Sequence, residues 1–563
     1  HEGALIWRFF SDFLRPEDHW LPPDNWQEEP NPTLARRTSP TNIGLALLSV
    51  LSAVDLELLP RRKAVTLLGH MLESMEALEK WNGHLYNWYD TATAAPLAPK
   101  YVSTVDSGNL CGCLIALREG LYEWGEDRLA RRAEALSDAM DLAVLYDPDR
   151  KLFTIGYDVT AQAYTEGWYD LMASEARQAS FLAVARGEVS PRHWRRLSRA
   201  LVSYANYSGM ASWTGTMFEY FMPALLLPVY KNSLLYESMA FCLYVQRSRT
   251  ARKGVPWGIS ESAFYAFDGA LNYQYKAHGV QRLGLKRGLD SELVVSPYSS
   301  FLALTVAPAA ASANLRRLRG LGMEGKYGLY EAADYTAGRL AGERPFEPVR
   351  CFMAHHLGMS LVSINNALND NIMQRRFMRD RDMLAYRELL QEKVPVGAVT
   401  LKSPASEVPE KPKRAAAPSF VRTGSWREGE ARAIHLVSNG AYTVQCDAAG
   451  ESLSRMGTTT LAKSLTALAA GADGTGTPAR FSHQFSNHAV WQSEGEGLTL
   501  TQTLRVPERE NGEIREFELT WRGEGTWRGE LACYLEPILA PIQEYEAHPA
   551  FSKLFLESAY TGD

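Results

Sequence analysis

The sequence predicts a mainly α-helical fold followed by a β domain: a closed (α/α)6 helical toroid and then a β-sandwich. Three observations carry that expectation. From Thr41 to about Asp380, segment after segment carries apolar residues at three- and four-residue spacing. Between Lys393 and Phe420 the text becomes rich in Pro, Lys and Ala, which favours extended chain and builds no core. Beyond it the apolar period drops to two, the period of half-buried strands.

Taken in order, residues 1–40 are an aromatic, proline-rich lead-in centred on Trp20-Leu-Pro-Pro-Asp-Asn-Trp-Gln27. Residues 41–390 form the helical domain, with helices expected over 45–59, 64–81, 107–124, 129–145, 173–184, 191–204, 234–249, 309–320 and 353–368. Ser39 and Thr41-Asn42 offer capping side chains before the first of these. Paired helices in this number suggest a closed toroid. An open solenoid is the alternative, but no fixed repeat is visible. Residues 391–425 read as a linker and 426–563 as the sandwich. Ser438-Asn-Gly440 makes a hairpin turn, and 498–506, 514–521 and 531–539 read as strands.

At 563 residues the chain exceeds what one core usually supports. A formal net charge of −6 with 22% charged residues leaves no concentrated basic footprint, which disfavours nucleic acid and fits a neutral substrate. The six cysteines are scattered, and Cys111-x-Cys113 matches no zinc spacing, so free thiols in a reducing compartment are expected. The start, His1-Glu-Gly-Ala, is not a signal peptide and lacks an initiator methionine, which points to a piece of something larger. Apolar runs such as 221–229 are short and proline-broken, so this chain itself is expected to be soluble.

Between the helices lie long loops rich in Gly, Trp and Tyr, at 81–104, 208–220, 254–298 and 325–335. In Val255-Pro-Trp-Gly-Ile-Ser-Glu-Ser-Ala263, Glu261 sits between two serines after an aromatic, apolar run, with neither a helical stripe nor strand alternation. A fixed carboxylate among aromatics and amides suits sugar cleavage, since rings stack on sugar faces and the acid does the chemistry. Ser260 and Ser262 are placed to hydrogen-bond that carboxylate and keep it ionised. Glu175 opens a predicted helix, where an acid is also a plain dipole partner; Arg177 is either its partner or a surface charge. Glu219 reads as a sugar contact, a support, or an acid satisfied by loop amides. Asp106 reads as an N-cap or a substrate contact. Glu331 and Asp334, flanked by Tyr330 and Tyr335, read as sugar contacts or loop structure. Adjacent His355 and His356 point to different faces, which argues for hydrogen bonding rather than a metal. Trp88, Tyr89, Trp213, Trp257, Tyr273, Tyr275, Tyr298 and Tyr335 are candidate sugar contacts, and Gln274, Lys276, Lys286 and Arg287 candidate partners of hydroxyls.

These segments resemble cyclic β-1,2-glucan synthases. The matching text includes Arg37-Thr-Ser-Pro-Thr-Asn-Ile-Gly-Leu45, Gly83-His-Leu-Tyr-Asn-Trp-Tyr-Asp90, Thr104-Val-Asp-Ser-Gly-Asn109, Leu171-Met-Ala-Ser-Glu-Ala-Arg177, Ser212-Trp-Thr-Gly-Thr-Met-Phe-Glu-Tyr220 and Met353-Ala-His-His-Leu-Gly-Met-Ser360. His435-Leu-Val-Ser-Asn-Gly-Ala-Tyr442 and His548-Pro-Ala-Phe-Ser-Lys-Leu-Phe555 resemble the phosphorylase-like region of the same enzymes. The resemblance implies a glucoamylase-like cyclisation domain and the sandwich that opens the phosphorylase-like region. It also implies a place on the cytoplasmic side of the inner membrane within a larger protein, alongside a membrane glucosyltransferase region. The implied reaction is retaining transfer on linear β-1,2-glucan, with Glu261 as nucleophile, Glu175 as acid/base, an acid at Asp106 as a substrate contact, and no metal or cofactor. An endo-β-1,2-glucanase and a non-catalytic glucan-binding module are the other readings.

Overall fold

The computed structural model describes residues 1–268, 270–340, 344–394, 400–401, 434–447, 450–464, 468–471, 480–485, 488–495, 497–508 and 510–541. Most of the expected linker at 391–425 and the whole of His548-Pro-Ala-Phe-Ser-Lys-Leu-Phe555 lie outside these residues. The chain divides into two compact units, His1–Glu407 and Val408–Asp563.

The first unit is helical. Its helices are α1 (Glu2–Phe13), α2 (Pro40–Asp55), α3 (Arg61–Ala77), α4 (Thr104–Glu123), α5 (Asp127–Asp138), α6 (Arg177–Ala185), α7 (Arg192–Arg196), α8 (Met217–Phe221), α9 (Leu234–Ala251), α10 (Tyr298–Leu302), α11 (Pro308–Gly320), α12 (Ala354–Leu368), α13 (Ile372–Phe377) and α14 (Arg381–Ala385). α2 begins where the sequence offers a cap: Ser39 Oγ accepts from Asn42 N and Pro40 takes the first turn, where no N–H is needed. α2 and α4 are buried on nearly every side, so they are interior helices rather than amphipathic surface ones. α2 packs on α4 and α12, α4 also on α6, and α10 on both α8 and α12. Glycine makes two of these approaches possible. A Cβ at Gly108 would lie 2.5 Å from Ala179 Cβ, and one at Gly358 would lie 2.7 Å from Leu45 Cβ. Residues 1–40 share this core, with Phe9 and Phe10 of α1 fully buried in it. Among the described residues no helix is long and apolar enough to cross a membrane.

The structure departs from the periodicity in two places. The helix expected over 191–204 is only the short α7, followed by a strand, Leu201–Tyr204, paired with Tyr207–Met210. Trp194, Leu197, Leu201 and Tyr204 keep three- and four-residue spacing, while Val202 and Tyr204 share a strand face, so the text fits both. The stretch 254–298 contains a hairpin, Glu261–Phe267 against Tyr273–Ala277. Burial on both of its faces and a bulge between Phe264 and Phe267 hide the alternation.

The second unit is β-rich. A five-stranded antiparallel sheet includes Ile434–Ser438 and Tyr442–Asp447, and a four-stranded one includes His488–Gly495, Leu498–Arg505 and Ile514–Trp521. Val437, Val444 and Cys446 of the first sheet meet Ala489, Trp491 and Leu504 of the second in one small core, as in a sandwich. The predicted hairpin turn is present: Asn439 Oδ1 accepts from Ala441 N and Tyr442 N, and Gly440 takes a φ of +92°. All six cysteines are free thiols, five buried and Cys533 exposed.

Candidate active site

Glu175 stands in the turn between the short strand Trp168–Tyr169 and α6, two residues before the helix begins. Glu261 opens the hairpin and pairs with Ala277. Both are half-buried, and among the described residues nothing donates a hydrogen bond to either carboxylate. Burial, then the charges of Glu261, Asp106 and Glu219, raise the Glu175 carboxyl well above the usual carboxylate range. Burial, then Glu219, Asp106 and Glu331, push Glu261 up to about 8. The structure thus brings together acids that lie far apart in sequence.

The serines beside Glu261 do not serve its carboxylate. Ser260 Oγ accepts from Phe218 N (2.9 Å) and Tyr298 Oη (2.7 Å), and Ser262 Oγ is buried without a partner among the described residues. Side chains alternate along a strand, so residues next to Glu261 face away from its carboxylate. The expected means of keeping Glu261 ionised is therefore absent.

The other acids divide by their partners. Ser103, not Asp106, caps α4; Asp106 is half-buried in the first turn and accepts from Thr41 Oγ1 at 2.7 Å. Thr41 Oγ1 in turn receives Asn109 Nδ2 at 3.1 Å. Glu219 forms a capping box with Thr216. Its carboxylate also accepts from Ser212 Oγ (2.9 Å), Trp213 N (3.0 Å), and Thr214 N (3.1 Å) and Oγ1 (2.7 Å), so it is satisfied by its own loop. Asp334 is buried against Arg339, Tyr265 N and Thr336 N, and supports the loop. Glu331 accepts from Ala263 N (3.3 Å) and lies 2.8 Å from His356 Nδ1, both side chains buried. Burial pushes Glu331 up to about 8 and His356 well down, which favours a neutral pair. Tyr298 stacks on His356 at 3.7 Å and donates to Glu261 O, fixing the strand from behind. Tyr275 Oη lies 3.4 Å from the Nε2 atoms of both His355 and His356. Burial and the neighbouring His356 lower half-buried His355 to about 3.

The aromatic candidates separate by exposure. Trp213 is 45% exposed and held by its indole N–H on Asp170 Oδ1 (3.2 Å). Trp88, half-buried, lies under the Arg37 guanidinium at 5.1 Å, and Tyr273, Tyr275 and Tyr335 are half-buried. Tyr89, Trp257 and Tyr298 are buried, so none offers a free face to a sugar: Tyr89 bonds Glu79 O and Tyr86 N, and Trp257 is clamped by Asn314. Lys276 is paired to Glu292 at 2.9 Å, while Gln274, Lys286 and Arg287 are exposed. A small cavity bordered by Tyr298, Glu331 and His356 is otherwise lined by core residues such as Ile6, Phe301 and Leu357; it touches neither Glu175 nor Glu261 and is a packing void.

One residue escaped the sequence reading. Tyr169 is half-buried, and its hydroxyl is raised by burial and then by Glu175, Tyr101, Asp106 and Glu261, which places it among the acids. Its signal was the Trp168-Tyr-Asp170 triplet just ahead of the Glu175 turn.

Comparison with known proteins agrees with both units. Residues 167–381 match the family model described as putative glucoamylase, and residues 463–563 match the supersandwich domain of glycosyl hydrolase 94. By fold, the chain is similar to a putative glucoamylase from Bacteroides caccae (TM-score 0.57, 16% identity, 69% of this chain and 97% of that one). It is equally similar to an endo-β-1,2-glucanase from Chitinophaga pinensis (TM-score 0.57, 14% identity, 69% of this chain and 96% of that one). In sequence it is 30% identical to the cyclic β-(1,2)-glucan synthase NdvB of Rhizobium meliloti, a similarity that takes in 98% of this chain while spanning 25% of that protein's length.

Proposed function

We propose that this chain is the cyclising transglycosylase module of a cyclic β-1,2-glucan synthase, acting on linear β-1,2-glucan with retention at the anomeric carbon. The observation that carries the reading is the pair Glu175 and Glu261: half-buried, raised in proton affinity, and without a hydrogen-bond donor among the described residues. A donor-free carboxyl is poised to exchange a proton or form a bond, which a structural acid is not.

Glu175 gives its proton to the leaving glycosidic oxygen as that C–O bond breaks, and Glu261 forms an ester to the anomeric carbon. The 2-hydroxyl at the chain's own non-reducing end then loses its proton to Glu175, bonds the anomeric carbon and expels Glu261. Two inversions keep the β configuration. The roles are those the family resemblance implies. The charge of Glu261 is among the causes that raise Glu175, which supports a protonated acid beside an ionised nucleophile. The state with one proton lost, nucleophile charged and acid protonated, is the active one.

The packing of α2 on α4 and α12, α4 on α6 and α10 on α8 and α12, with Arg177 of α6 bonded to α8 carbonyls, supports an (α/α)6 ring with α3, α5, α7, α9, α11 and α13 outside. On this reading residues 41–390 are the catalytic domain and 391–425 a linker to the sandwich at 426–563. The partners are the membrane glucosyltransferase and phosphorylase-like regions of a longer protein at the cytoplasmic face of the inner membrane.

Incubation with linear β-1,2-glucan tests the reading. The expected product is a ring lighter by one water than the linear chain of equal length, with the number of reducing ends unchanged. Reducing ends that accumulate without rings would make the protein a hydrolase, and binding without turnover a glucan-binding module.

A further inference from the structure

We propose that Arg177 is a positioning residue for Glu175, the pin that fixes the acid's turn to the segment carrying Glu219. The inference rests on the acid/base role assigned above to Glu175.

Arg177 opens α6, two residues after Glu175, and its side chain is buried. A buried guanidinium normally faces a carboxylate. This one has none among the described residues. Its donors go to three backbone carbonyls: Nη1 to Ser174 O (3.1 Å) and Glu219 O (2.9 Å), and Nη2 to Tyr220 O (2.6 Å). Burial without a counter-charge lowers its proton affinity to about 9, a cost that a merely space-filling side chain would not incur.

The three acceptors explain the placement. Ser174 precedes Glu175, so the bond to its carbonyl closes the turn that presents the acid. The other two carbonyls belong to α8, which opens with the capping box of Glu219 and follows the caged loop Ser212–Thr216 carrying Trp213. One planar fork thereby joins the acid's turn to the loop at the substrate's edge. Every bond its fork makes ends on a backbone carbonyl of the two segments it joins, so it acts on Glu175 by holding the turn in place. Lysine at this position would keep the charge but lose the fork, with a single ammonium where two nitrogens now reach three carbonyls.

The test uses Arg177→Lys, Arg177→Gln, Glu175→Gln and both double variants, assayed for ring formation on linear β-1,2-glucan and for thermal melting. A misplacement on the order of an ångström costs up to about 100-fold. The expected result is a kcat lowered roughly 10- to 100-fold by Arg177→Lys, with KM little changed and a cooperative melt retained. In the Glu175→Gln background the same change has no further effect on kcat, because the group it positions is already gone. An aryl β-glucan whose leaving group needs no protonation shows a smaller loss. An unchanged kcat, or losses that multiply in the double variants, overturns the inference while leaving the role of Glu175 intact. A fully active Glu175→Gln removes the acid assignment itself, and is read first.

Discussion

Glu261 and Glu292 are two enclosed carboxylates around one hairpin with opposite fates. Ser262, next to Glu261, pairs across the hairpin with Lys276, whose ammonium reaches Glu292 at 2.9 Å. Burial raises the proton affinity of both. At Glu292, the nearby His278 ring (3.1 Å) and the bonds from Lys276 and Arg339 overcome it and hold the carboxyl well below the usual range. At Glu261 nothing among the described residues donates, other acids add to the burial, and the carboxyl rises to about 8. The lesson is that burial alone does not distinguish a working acid from a structural one; the donor inventory does. Lys276, expected to bind glucan hydroxyls, is spent on the structural side of this divide.

The sharpest way to break the contrast is to neutralise each acid. Glu175→Gln is expected to lower kcat by about 10²- to 10⁴-fold, the usual worth of a positioned acid or base, and Glu261→Gln, which removes the nucleophile, by at least as much. Both proteins should stay folded. The sign of the pH dependence follows from linkage. A carboxyl whose folded pKa is raised binds its proton more tightly when folded, so stability falls as pH climbs from the unfolded value near 4.5 to about 8. Glu261→Gln should therefore melt higher than wild type at and above pH 8 and alike at pH 4. A wild-type melting temperature that does not fall over that window would show that the free carboxyl is solvated after all. In activity, kcat/KM of the free enzyme should rise as Glu261 ionises near 8.

Glu292→Gln should behave in the opposite way. It takes the charged acceptor from Lys276 and Arg339 and should cost about 1–3 kcal/mol at pH 7. Since the folded pKa is lowered, its contribution exists above the unfolded value and is lost as pH falls, so the deficit should vanish in acid. Ring formation per folded molecule should be retained. Denaturant unfolding at several pH values checks the sign, and a deficit that persists in acid would assign it to packing.

How much of this division was legible in the sequence varies with the residue. The helical text, the switch of period and the Ser438-Asn-Gly440 turn were readable because each rests on local spacing. Glu175 and Glu261 were readable as acids in unusual surroundings, but the donor-free state that sets them apart was not. Donors come from distant chain: Glu331 meets Ala263, and Thr41 meets Asp106. The serines beside Glu261 misled because sequence adjacency suggested contact, whereas strand geometry turns neighbours to the opposite face. Arg177 was ambiguous for the same reason, its partners lying on α8. Trp257 and Tyr89 misled differently, since a loop aromatic looks the same in text whether it faces substrate or core.

That last ambiguity supports the smallest prediction. Trp213 keeps 45% of its surface exposed while its backbone N–H is tied to Glu219 and its indole N–H to Asp170. A ring held rigidly at both ends but open on its face loses little freedom when a sugar stacks on it. Removing it should therefore act on binding rather than chemistry. At about 0.5–1.5 kcal/mol for an aromatic contact, Trp213→Ala should raise KM for linear β-1,2-glucan a few-fold to about tenfold, with kcat nearly unchanged. Tyr89→Phe, which deletes a buried hydroxyl bonded to Glu79 O and Tyr86 N, should cost about 1 kcal/mol of stability and leave KM alone. If instead Trp213→Ala lowers kcat with KM unchanged, the loop it stands on takes part in holding the carboxylates, and Glu219 belongs with Glu261 rather than with Glu292.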